Sequence, residues 1–278
     1  MKTLVAVLLV AGLAAAVRAN VIKVGEPHPG VDQIVRNNAT ARGGVDAWRR
    51  VQTLVWSGHV ESSNAQRPQL PFVLDQKRPD RTRFEIGLVP HKAVRIFDGS
   101  EGWKLHAGAN GLPELSAFGP DEMAGARDAQ VIEGPLMDCV ARQASITLAG
   151  KETLRGHAAW VLEARLASGT VHRLWIDAQT WLELRDDRQA RDAAGRGGVV
   201  SVYFLDYRDS EGLQMPFTIE TVAANGQDVN RLVIARVEVN VPLADAMFVK
   251  PALPGSRKRG VMVDTRSAAQ SPPPAPQP

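Results

Sequence analysis

HAAWVLEARLASGTVHRLWIDAQTWLELRDDR, residues 157–188, is the stretch whose reading decides the fold. Three runs in it, residues 160–166, 171–177 and 181–185, alternate apolar and polar side chains and are separated by Ser168-Gly169 and Ala178-Gln179-Thr180. Alternation at period two between turn residues reads as an antiparallel meander with one buried face.

The same pattern recurs outward in both directions. Toward the N-terminus, residues 54–61 place Leu54, Trp56, Gly58 and Val60 on one face. Residues 70–77 and 81–86 pair across Arg78-Pro79-Asp80, where Pro79 lacks the N–H that a ladder needs. Residues 94–98 and 103–106 form a further hairpin across Gly99-Ser100-Glu101-Gly102. Toward the C-terminus, residues 199–207, 215–222 and 231–239 read as strands, with turns at 209–212 and 224–227. The polar, glycine-rich stretch 186–198 reads as an exposed mobile loop. These runs describe one large, strongly bent sheet in a mainly β (α+β) chain.

Helical spacing interrupts the sheet twice. Residues 31–51 carry Val31, Ile34, Val35, Ala41, Val45, Ala47 and Trp48 at roughly helical intervals, and Gly43-Gly44 divides them into two pieces. Such an element closes one end of a barrel or gates a ligand. Residues 120–141 place Met123, Ala126, Ala129, Val131 and Ile132 at helical spacing, with Asp121 and Glu122 suited to a helix start. Gly134-Pro135 divides this insertion into two short helices, which either cap an open barrel mouth or pack outside as a crossover.

MKTLVAVLLVAGLAAAVRA, residues 1–19, reads as a cleaved secretory signal peptide, too short and wrongly flanked for a membrane anchor. A periplasmic address is therefore expected, with a single domain over residues 20–264 and a disordered Pro-rich tail over 265–278. The sole cysteine, Cys139, excludes an intrachain disulfide and reads as a small buried apolar residue. Without Lys2 and Arg18 of the leader, the mature chain has a net charge of only +1, which argues against nucleic acid as a partner. The basic cluster Arg257-Lys258-Arg259 reads as a solvated loop rather than a membrane contact.

Motifs for chemistry are lacking. The six histidines, His28, His59, His91, His106, His157 and His172, form no H-E-x-x-H pattern, and no Cys-x-x-Cys or phosphate-cradling glycine loop occurs. No serine lies in a nucleophile elbow. His59 and His172 read as exposed positions on the polar parity of their strands. No cofactor, metal or catalytic group is expected, and the chain reads as a binding protein rather than an enzyme.

Three segments carry a resemblance. FVLDQKRPDRTRFEI with IFDGSEGWKL in residues 72–105, then LWIDAQT, and finally YRDSEGLQMPFTIE with ADAMFVKPALPGSRKRGVMVD follow one another in the order seen in the periplasmic lipoprotein-carrier, or LolA-like, family. The matching positions are Arg78-Pro79, Arg83-Phe84-Glu85 and Asp98-Gly99 before Trp103; Trp181 departs from the pattern where a glycine is common. ARGGVDAWRRV is similar to relatives of the outer membrane lipoprotein-sorting type. The resemblance implies a half-open antiparallel β-barrel of about eleven strands with an N-terminal helix and inserted lid helices. It also implies a monomer, a lipid or lipoprotein acyl chain as cargo, and an inner- or outer-membrane partner protein. By analogy Arg78 hydrogen-bonds the lid; otherwise it is a strand-end surface charge. Strand parity nominates Leu54, Trp56, Phe72, Leu74, Phe84, Ile96, Trp160, Leu162, Leu174, Ile176, Val202, Phe204, Phe217 and Ile219 as the lining of the concave face. The rival function for the same fold is a sensor that binds a protein partner in the envelope.

Overall fold

The computed structural model describes residues 28–63, 69–87, 92–108, 110–129, 132–137, 139, 143–191 and 197–253. The leader, the Arg257-Lys258-Arg259 cluster and the C-terminal tail lie outside the described residues. Helix α1 (Val31–Ala41) and helix α2 (Val45–Arg50) break where the sequence places the break. Gly43 and Gly44 adopt φ of 108° and 90°, and a Cβ on Gly43 would stand 2.4 Å from the carbonyl oxygen of Gly212. Only glycine lets the backbone turn this close to a neighbouring hairpin.

Thirteen strands follow: β1 (Thr53–Ser62), β2 (Leu70–Lys77), β3 (Arg81–Gly87), β4 (Lys92–Phe97), β5 (Gly102–Ala107), β6 (Pro113–Ala117), β7 (Ser145–Leu154), β8 (His157–Arg165), β9 (Val171–Asp177), β10 (Glu183–Arg191), β11 (Gly197–Ser210), β12 (Leu213–Val222) and β13 (Val229–Val239). All belong to one antiparallel sheet in the order β6-β5-β4-β3-β2-β1-β13-β12-β11-β10-β9-β8-β7. The chain thus builds outward from β1 to one edge, crosses to the opposite edge, and builds back until β13 pairs with β1. Since β6 and β7 do not pair, the barrel stays open. The β6–β7 connection has to join opposite edges of the sheet, and its buried residues Ile132, Leu136 and Met137 pack against the concave side.

Eleven of the strands overlap the alternating runs read from the sequence; the two additional ones, β6 and β7, are the edges. Along β7 buried and exposed positions are weakly contrasted, and Gly150 marks a bulge in its pairing with β8. The reading of residues 186–198 as a loop is corrected: β10 runs through Arg191 and β11 begins at Gly197. Its strand was hidden because both faces are polar, with Arg185 and Asp187 paired outside and Asp186 and Arg188 turned to the concave side. The second inserted helix expected after Gly134-Pro135 falls largely on residues 138 and 140–141, which lie outside the described residues. Helix α3 (Pro120–Ala129) is the one helix among the described residues of the insertion, and residues 132–137 form turns whose Gly134 has a φ of 83°.

Two apolar clusters fill the concave face. One gathers Trp48, Leu54, Trp56, Phe72, Met215 and Phe217 under α2; the other gathers Ile34 of α1 with Leu136, Trp160, Leu162, Leu174 and Ile176. The convex face carries its own small core, in which a 3₁₀ turn (Asp245–Phe248) packs Phe248 on Val94, Ile96 and Trp103.

Candidate functional site

Between these clusters lies a cavity of about 360 Å³, within the ~300–1,000 Å³ usual for small-molecule sites. Its apolar wall comes from one row of directly paired residues, Trp56 on β1 and Leu74 on β2, flanked by Phe72, Phe204, Ile219 and Leu232. Trp48 of α2 and the turn residues Ile132, Gly134 and Pro135 roof it.

The 15 residues nominated from the sequence separate into five groups. Trp56, Phe72, Leu74, Leu174, Val202, Phe204 and Ile219 line the cavity. Leu54, Phe84 and Phe217 belong to the surrounding cluster but do not line it. Trp160, Leu162 and Ile176 are covered by Ile34 and Leu136, so this part of the concave face is filled core. Ile96 is a correction: it pairs with Arg83 and Trp103, the row one residue away from Phe84 and Arg95, and therefore faces the convex side under Phe248. Strand parity failed there because the apolar parity of β4, Val94 and Ile96, is buried on the convex side by the C-terminal 3₁₀ turn, while the concave parity carries Arg95.

Arg78, the fifteenth, bridges the roof and the sheet. Its Nε donates to the Val51 carbonyl at 2.6 Å, and its Nη2 donates to the Trp48 carbonyl at 3.2 Å and to Glu133 Oε2 at 2.8 Å. Glu133 is buried in the turn that roofs the cavity. The same turn is held from the other side by Arg42, whose Nη1 donates to the Glu133 carbonyl and, at 3.1 Å, to Glu183 Oε1. Arg42 was not singled out from the sequence; it sits in the turn after α1, where an arginine normally reads as surface.

The cavity also has a polar end that sequence reasoning missed. Asp186 stands opposite Leu174 and Val202, and Arg188 stands opposite His172, all in the concave rows of β9, β10 and β11. His172, expected at the surface, is corrected to a buried position, 4% exposed. The signal was available, since His172, Leu174 and Ile176 share one parity. Its Nδ1 lies 2.9 and 3.0 Å from the two carboxylate oxygens of Asp186. Because a carboxylate only accepts, Nδ1 carries the proton. Beside this pair, Tyr207 donates its hydroxyl to Glu183 Oε2 at 3.3 Å. Burial, and secondarily the Glu183 charge, push the Tyr207 hydroxyl well above its ordinary range, so it stays a neutral donor. Trp56 Nε1 donates to Gln76 Oε1 at 2.9 Å, satisfying the one polar atom of the apolar wall's largest side chain.

Helix α3 is tied down by charge. Its Glu122 accepts from Arg95 on β4 at 2.9 Å, from Lys104 on β5 at 2.8 Å and from the Gly119 N–H at 3.0 Å. Partial burial raises this carboxyl, but those donors outweigh it and draw it down to about 2. Among the described residues no cluster of His, Cys, Asp and Glu could hold a metal ion, and no helix is long and apolar enough to cross a membrane.

A bent antiparallel sheet left open at both edges, with an apolar concave face roofed by the crossover between those edges, defines a class of half-barrel binding folds. The particular fold is the LolA-like one. An outer membrane lipoprotein-sorting protein domain from Vibrio parahaemolyticus superposes with a TM-score of 0.53 at 13% identity, covering 80% of this chain and 96% of that one. A LolA superfamily protein from Nitrosomonas europaea gives 0.52 at 11% identity over 80% and 99%. A DUF1329 family protein from Desulfovibrio piger gives 0.50 at 15% identity over 80% and 98%. No family model and no curated protein matches the sequence. At these identities the likeness is one of fold.

Proposed function

We propose that this protein is a non-catalytic, periplasmic carrier or binding protein for the acyl chain of a lipid or lipoprotein. The observation that carries the reading is the roofed cavity of about 360 Å³ whose wall is built from Trp56, Phe72, Leu74, Phe204 and Ile219. Each methylene moved from water into such a wall contributes roughly 0.8 kcal/mol, so a single chain is enough for useful affinity. The volume suits one chain rather than a bundle of several. The signal-like leader supports the address, and the fold of the lipoprotein-sorting domain supports the cargo class.

The test is native mass spectrometry with organic extraction on mature protein purified without detergent, followed by uptake of a fluorescent acyl probe. A co-purifying acyl lipid, and probe uptake that Val202→Trp blocks by filling the cavity, are the expected results. An empty protein that takes up no probe sinks the reading.

A further inference from the structure

The cavity has a polar end that an apolar tail alone does not explain. Two concave rows meet there: Leu174, Asp186 and Val202 in one, His172 and Arg188 in the next. The His172 side chain is 5% exposed, its Nδ1 is committed to Asp186, and its Nε2 is sealed from water with no hydrogen-bond partner. An orphaned ring nitrogen of this kind is costly, and a hydrocarbon laid beside it would leave the cost in place. Of the other polar groups at this end, Arg42 pairs with Glu183, and Asp186 accepts from the His172 Nδ1–H. Arg188 lines the same cavity and has no ion pair or hydrogen bond among the described residues. What remains at this end is a guanidinium with no direct partner among the described residues beside an imidazole nitrogen with none.

Resting on the carrier reading, we infer that His172 and Arg188 form a head-group site for a single-chain amphiphile bearing an oxyacid, carboxylate or phosphate, with its tail against Phe72, Leu74 and Ile219. The guanidinium of Arg188 presents paired N–H donors that match the geometry of such a group. Asp186 holds the imidazole of His172 in the tautomer whose Nε2 takes up the acid proton of the head group or, once protonated, donates back to its oxygen. In either state one proton is shared between Nε2 and the oxyacid, and Asp186 balances the charge on the ring. Arg42 and Glu183 are occupied with the roof and are not part of the site.

Delipidated mature protein is titrated by calorimetry with lauric acid, dodecyl phosphate and dodecanol, three amphiphiles with the same tail. The wild type is expected to prefer at least one of the two oxyacids over the alcohol by roughly tenfold or more, the size of one charge-assisted contact. Which acid wins identifies the head group. Arg188→Met and His172→Gln are each expected to remove that preference while leaving dodecanol affinity within about twofold. Arg188→Met keeps the aliphatic stem at a half-buried position and serves should His172→Gln fail to fold, as judged by circular dichroism. Equal binding of all three amphiphiles by the wild type, or a preference that survives Arg188→Met, overturns the head-group site and leaves the acyl cavity standing. Binding of none of them overturns the carrier reading, and this inference with it.

Discussion

Replacing Arg78 by Met should loosen the roof without emptying the core. The guanidinium makes three contacts, to the carbonyls of Val51 and Trp48 and to the Glu133 carboxylate, with the arginine side chain 23% and the glutamate side chain 5% exposed. Breaking a fully buried pair costs about 3–5 kcal/mol, and partial exposure lets water replace some of what is lost. A loss of about 2–4 kcal/mol is expected, which for a domain of this size lowers Tm by roughly 4–16 °C at ~2–4 °C per kcal/mol. Glu133→Gln removes the charge that Arg78 faces. The double variant should therefore lose less than the two singles together, with a coupling of about 1–3 kcal/mol. The assay is urea and thermal unfolding of the four proteins of the cycle, with acyl-probe uptake kinetics alongside; faster uptake by Arg78→Met is expected because the turn at residues 132–137 is released. A Tm shift under about 2 °C with additive singles would refute the view that Arg78 latches the roof.

Other perturbations follow from single contacts. Glu122 has its folded value depressed to about 2, so its stabilisation is fully present above its unfolded value near 4.5 and is lost as pH falls through about 2. For a side chain 28% exposed, screening leaves about 1–2 kcal/mol of this, and the hydrogen-exchange protection factors of residues 120–129, corrected for intrinsic rates, should fall between pH 4.5 and 2 in the wild type but be low throughout in Glu122→Gln. Tyr207→Phe leaves Glu183 with Arg42 alone and should cost about 1–2 kcal/mol in urea unfolding without altering the far-ultraviolet spectrum. Gly58→Ala would set a methyl group 2.0 Å from the Val233 carbonyl oxygen at the bulge between β1 and β13, and should destabilise by about 2 kcal/mol or more, or give insoluble protein.

The sheet was legible wherever one face of a strand is apolar and the other polar. Residues 54–61 and 171–177 announce themselves because Leu54 and Trp56, or Leu174 and Ile176, recur at period two. Legibility failed where that contrast fades. β6 and β7 are edges with no fully buried face, and β10 is polar on both faces because one of them serves the cavity. The same polar pattern concealed the site, since Asp186 and Arg188 read as loop chemistry until pairing with β9 and β11 turned them inward. Ile96 shows the converse failure: an apolar residue is informative about burial, but which side buries it depends on a segment about 150 residues later, Asp245–Phe248. Cys139 is half-buried and in contact rather than enclosed.

The topology separates the energy that holds the sheet from the energy that holds the roof. The first and last strands pair at the centre through an extended β1–β13 ladder, backed by Trp56, Phe72 and Ile234. The roof is held by burial of Leu136 and Met137 in the two apolar clusters and, at its two ends, by contacts of charge: Glu122 to Arg95 and Lys104 at α3, and Glu133 to Arg42 and Arg78 at the turn. The Glu122 contacts, at partly exposed positions, exchange with water at a cost of about 1–3 kcal/mol, whereas withdrawing the apolar wall from its neighbours costs that much for each side chain. A chain that admitted and released an amphiphile would need such an ordering, because the α3 end of the cover could then loosen while the strands beneath remain paired. The insertion between the two edges attaches such a cover without interrupting a ladder.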